Sequence, residues 1–63
     1  MLDDVEQKIM ELLKEGEKST TEISNNLHRN FYDTNQFLEE LEKENKIQKI
    51  ELNKFTFWKI KED

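Results

Sequence analysis

The buried-type residues of this chain change period at Ile47. Before that point they recur every three or four positions in three separate blocks. Val5, Ile9, Leu12 and Leu13 make the first block, Ile23 and Leu27 the second, and Thr34, Phe37, Leu38 and Leu41 the third. After it, "IQKIEL" and "FTFWKI" are short runs rich in β-branched and aromatic residues, separated by Asn53-Lys54. Helical spacing followed by strand spacing with a two-residue break predicts three amphipathic helices and then a hairpin.

Local signals mark the boundaries. Asp3 and Asp4 open the first block and suit the positive end of a helix dipole. Gly16 closes it, where a left-handed C-terminal cap is expected, so helix 1 is predicted over about Asp3 to Glu15. Ser19 with Glu22 three residues on matches a capping box and starts a short helix 2, about Thr20 to Asn26. "HRN" is a compact turn in which Asn30 is the expected N-cap of helix 3. On helix 3, Tyr32, Asn35, Gln36, Glu39 and Lys43 fall on the stripe opposite the buried one. In the hairpin, strand alternation puts Trp58 and Ile60 on one face and Phe55 and Phe57 on the other. Ile50 and Leu52 share a face across from the two phenylalanines. Helix, capped helix, helix, hairpin is the order of an α+β winged helix-turn-helix, here one domain over residues 1–63.

Size and composition narrow the function classes. A chain of 63 residues buries only about 60% of its unfolded surface and has room for one thin core, with no enclosed active-site cavity. It has no Cys, one His and one Gly, which removes disulfide scaffolds and zinc fingers. The amino end "MLDDVEQKIM" reads as neither a signal peptide nor an anchor. No run approaches the roughly 18 apolar residues that span a bilayer. An intracellular protein without membrane, metal or cofactor is the expectation. No nucleophile–base pair, metal set or Gly-rich phosphate loop is present, so a binding role is expected rather than an enzymatic one.

Charge is unevenly distributed. Residues 1–45 hold five basic and twelve acidic side chains, whereas residues 46–61 hold five lysines against Glu51 alone. The acidic majority argues against a protein that coats DNA broadly, and the basic hairpin keeps a nucleic-acid partner in view.

"VEQKIMELLKEGEKSTTEISNNL", the helix bearing Asn35 and "IQKI…FWKI" together resemble the Zα domains. These are winged helix-turn-helix modules that bind left-handed Z-form DNA or RNA. The resemblance implies that Asn35 contacts phosphate and that Trp58 supports the docking surface from the wing. Three landmarks of that family differ: its stacking Tyr is Glu39, its opening basic residues are Phe31 and Tyr32, and its wing prolines are replaced by Lys54, Phe55 and Thr56.

The expected interface with double-stranded nucleic acid is Asn35 with Tyr32 and Gln36 on its stripe. Arg29, Lys54 and Lys59 are candidate phosphate clamps. Trp58 is expected to pack into the core while leaving one edge exposed. Glu39 is the altered contact position, where a carboxylate repels phosphate. His28 is expected to be a capping or surface residue. A small regulator reading B-DNA is one alternative. Another is a protein-interaction or homodimerisation module using the apolar face of Ile50, Leu52, Phe55 and Phe57.

Overall fold

The computed structural model describes residues 3–62. Helix α1 spans Asp4–Leu13, strand β1 Lys18–Ser19, helix α2 Thr20–Leu27, helix α3 Phe31–Lys43, strand β2 Ile47–Leu52 and strand β3 Phe55–Ile60. The sheet order is β1-β3-β2, antiparallel throughout. This is a winged helix-turn-helix with the predicted three helices and hairpin. The added strand β1 pairs Lys18 with Trp58 and Ser19 with Phe57. Two residues carry too short an alternation to announce a strand.

The helix starts follow their capping residues. At α1, the Glu6 amide donates to the Asp3 carboxylate at 2.9 Å and the Glu6 side chain accepts from the Asp3 amide, forming a capping box. Ser19 and Glu22 make the predicted box at α2, and the Asn30 side chain accepts the Asp33 amide at 2.8 Å at α3. Each such cap satisfies amides that otherwise lack a partner, worth about 1 kcal/mol.

The helix ends differ from expectation. α1 stops at Leu13, two residues before the expected Glu15, and Gly16 takes φ +132° instead of the left-handed helical value. The turn from α1 into β1 needs a backbone angle that only glycine adopts cheaply. α2 runs one residue past Asn26 to Leu27. It ends on His28 at φ 54°, with the Arg29 amide donating to the Ser24 carbonyl at 3.1 Å. Asn45 closes α3 in the same way, at φ 61° with the Lys46 amide on the Leu41 carbonyl. Both ends have the left-handed residue and long-range bond of a Schellman cap. His28 is thus an exposed capping residue.

Ile9, Leu13, Ile23, Leu38, Leu41, Ile47 and Trp58 form the core. Trp58 is fully buried, which corrects the expectation of an exposed edge. It points inward from the central strand, and its Nε1–H donates to Thr20 Oγ1 at 2.8 Å. That bond satisfies the indole's only donor and ties the sheet to the first residue of α2. The register pairs Ile50 with Phe57 and Leu52 with Phe55, so these four share the sheet face opposite Trp58, as alternation predicts. Leu52 and Phe55 are exposed, whereas Ile50 and Phe57 are half-buried.

Candidate nucleic-acid interface

Helix α3 lays Thr34, Leu38 and Leu41 into the core, with Phe37 packed against its edge. The helical period then turns Tyr32, Asn35, Gln36, Glu39 and Lys43 outward. Tyr32 is 81% exposed, Gln36, Glu39 and Lys43 are exposed, and Asn35 is half-buried. Thr34 Oγ1 donates to the Asn30 carbonyl at 2.9 Å, so the helix is pinned at its first turn, where the exposed stripe begins.

Asn35 and Glu39 lie one turn apart, and Asn35 Nδ2 donates to Glu39 Oε2 at 2.8 Å. The bond occupies one of the two amide hydrogens and holds the carboxylate on the stripe. Glu39 thus engages the amide that the sequence assigns to a phosphate contact. The i,i+4 spacing of an amide and a carboxylate was the sequence signal for this pair.

Two cations flank the first half of the stripe. Lys54, at the wing tip, lines a shallow groove with Thr21, Phe31 and Thr56. Arg29 lines another with Asp33, Gln36, Phe37 and Glu40, its guanidinium 5.5 Å from the Phe37 ring centroid. Helical geometry puts Phe31 on one side of the stripe and Asp33, Phe37 and Glu40 on the other. Arg29 and Lys54 therefore bracket Tyr32, Asn35 and Gln36.

Two of the expected contact residues are placed elsewhere. Lys59 lies on the outer sheet face near the base of the hairpin, in a groove with Leu13, Gly16 and Glu17. Lys54 and Lys59 alternate to different strand ends, so the wing does not gather them into one clamp. Trp58, being enclosed, offers no surface to a ligand. Thr21, which was not singled out from the sequence, and Phe31, named there only as an altered family position, stand beside Lys54. An exposed Phe in the first turn of α3 (53% exposed) was the available signal.

Three helices, a wing and an outward α3 stripe beside the wing tip define a winged helix-turn-helix domain. The chain belongs to the FaeA-like protein family, which it matches over residues 5–62. No curated protein sequence matches it. Among solved structures it is similar to ZitR from Lactococcus lactis in complex with DNA, at 18% identity and TM-score 0.90 over 98% of this chain and 44% of that one. It is similar to the adhesin competence repressor AdcR from Streptococcus pyogenes at 16% identity and TM-score 0.89, over 97% of this chain and 48% of that one. A possible transcriptional regulatory protein from Mycobacterium bovis gives 17% identity and TM-score 0.88, over 92% and 62%. At such identities the likeness is one of fold. The chain spans roughly half the length of these neighbours.

Proposed function

We propose that this domain binds double-stranded DNA by setting the first half of α3 in the major groove. Tyr32, Asn35 and Gln36 would face the base edges, while Arg29 and Lys54 would hold phosphates on either side. The observation that carries the reading is the bracket itself: an uncharged polar stripe on the first turns of α3, flanked by the cations of the turn and the wing. Asn and Gln amides match the donor–acceptor pair of adenine, and recognition helices read bases with their N-terminal residues. The fold shared with ZitR, whose structure is in complex with DNA, supports a DNA-binding reading. The role is one of binding without chemistry, inside the cell.

Duplex form is the second question. The Zα resemblance favours a left-handed duplex, and Asn35 does stand exposed enough to reach a phosphate. B-form is preferred here because Asn35 is bonded to Glu39 where that family has a stacking Tyr, and because Trp58 is enclosed.

With Arg29 and Lys54 as the phosphate contacts, log Kd should change with log salt by a slope of about 2. Anisotropy titrations of a labelled B-form duplex measure this, alongside circular dichroism of an alternating CG duplex. Weak binding with a shallow slope and an unchanged right-handed spectrum is expected. Inversion of the spectrum would replace the B-form reading with the left-handed one. A slope above about 6 would move the interface to the lysine-rich hairpin, and absence of binding to either duplex would remove both.

A further inference from the structure

The sheet ends in an unpaired edge. β2 is the outermost strand of the order β1-β3-β2, so one side of its backbone has no ladder partner among the described residues. The ladder's phase decides which groups face out. The Lys61 amide donates to the Lys46 carbonyl at 3.1 Å, which makes those two a hydrogen-bonded pair. Two residues further along each strand, Gln48 with Lys59, Ile50 with Phe57 and Leu52 with Phe55 are hydrogen-bonded pairs as well. The N–H and C=O groups of Ile47, Lys49 and Glu51 therefore point away from β3. An edge of this kind is a template for a further strand.

The side chains along it carry opposite charges two residues apart. Lys49 is half-buried, with Nζ 5.3 Å from the Trp58 ring centroid. Glu51 is exposed and makes no salt bridge among the described residues. It is also the single acid of residues 46–61. On the other face of the same strand, Gln48, Ile50 and Leu52 are uncharged.

We infer that β2 pairs antiparallel with β2 of a second copy of this chain, about a two-fold axis at Ile50. In that register Lys49 stands opposite Glu51 of the partner subunit, and Glu51 opposite Lys49 of the partner subunit. These are the residues whose backbone groups face outward, so each such pair also exchanges its N–H and C=O bonds. Ile50 meets its own counterpart as a non-hydrogen-bonded pair, the geometry with the closest side chains. The neighbouring registers are worse. A dyad at Lys49 sets lysine against lysine, and a dyad at Glu51 sets carboxylate against carboxylate, both destabilising when directly opposed. Charge alternation on a single edge strand thus selects both the partner and the alignment. The two outer faces of Ile50, Leu52, Phe55 and Phe57 become neighbours in one continuous sheet.

The absence of any native cysteine makes the register directly testable. In full-length protein without nucleic acid, oxidised Ile50→Cys should form a disulfide-linked dimer, because paired β residues across the axis have the separation a disulfide needs. Gln48→Cys and Leu52→Cys should each form no disulfide cross-link alone and cross-link only when mixed. Sedimentation equilibrium should show Lys49→Glu weakening the dimer by roughly tenfold, since both symmetric pairs become repulsive. The charge-swapped double variant Lys49→Glu with Glu51→Lys should restore it, which also separates pairing from any folding defect. A wild-type monomer through the high-micromolar range, equal cross-linking at positions 48, 50 and 52, or a double variant as weak as Lys49→Glu would each overturn the inference.

Discussion

Thr20→Val is the substitution that most directly tests how the wing is attached to the helix-turn-helix. Thr20 is 2% exposed and Trp58 0%, and the 2.8 Å bond between them joins residues 38 positions apart in the chain. Valine keeps the shape and removes the acceptor. The buried indole N–H then loses the acceptor it has in the structure. Such a loss costs about 1–3 kcal/mol. In a domain of this length each kcal/mol lowers the melting temperature by about 4–8 °C, so a loss near 10 °C is expected. Thermal and urea unfolding followed by the fluorescence of Trp58, the single tryptophan, would report it, and Thr20→Ser should keep most of the stability. The coupling is isolated by repeating Thr20→Val in a Trp58→Phe background, where no donor remains to be orphaned. There the substitution should cost less than about 0.5 kcal/mol. Equal costs in the two backgrounds would show that the hydrogen bond contributes nothing and that Thr20 acts through packing alone.

Glu39→Gln should tighten binding to B-form DNA by about fivefold, because removing a carboxylate near a phosphate relieves roughly 1 kcal/mol of repulsion at an aqueous interface. Anisotropy at two salt concentrations checks it, and an unchanged Kd would place Glu39 outside the interface. Glu39→Tyr should also tighten binding if the duplex docks in the Zα manner, so a loss there with a gain for Glu39→Gln separates the two dockings. Phe55→Ser, at a side chain 64% exposed, should cost under about 1 kcal/mol, the worth of its cross-strand pair with Leu52. Leu38→Ala, fully buried, should cost about 2–5 kcal/mol. Urea midpoints within error of each other would contradict this division between core and outer face.

Period and capping residues carried most of the fold into view. Ser19-Glu22 and Asn30 placed two helix starts, and the alternation in "FTFWKI" placed Trp58 and Phe55 on opposite faces. What stayed hidden depended on long-range pairing. Strand β1 exists because Lys18 and Ser19 meet β3 across the fold, and no two-residue window encodes that. Trp58 was expected to show an edge because large aromatics commonly do. Here Thr20 supplies an internal acceptor, so the indole had no need of water. Lys59 and Lys54 looked equivalent along the chain, yet they sit at opposite ends of the hairpin. For the stripe itself the helical period sufficed, and the i,i+4 spacing allowed the Asn35–Glu39 bond, which the rotamers of both side chains then fix.

The acidic excess then has a structural reading. Most of the carboxylates lie on α1, on the connecting turns and along the second half of α3, while the first half of the α3 stripe carries none. Glu39 stands at the boundary between the two halves, bonded to Asn35. A chain with this charge cannot hold DNA by a broad electrostatic field, because a net charge of −5 repels a polyanion at distances up to the Debye length, about 8 Å at physiological salt. On the proposed reading, binding would instead rest on a few short contacts made inside that distance, with Arg29 and Lys54 supplying the attraction against Asp33 and Glu40, which line the same groove as Arg29. Such an interface is weak per copy. A second copy joined through β2 would double the number of contacts without adding a single basic residue to the sequence, and the gain would come from effective concentration. Pairing through the edge strand and recognition through α3 use different elements of the fold, so either can be removed by substitution while the other is measured.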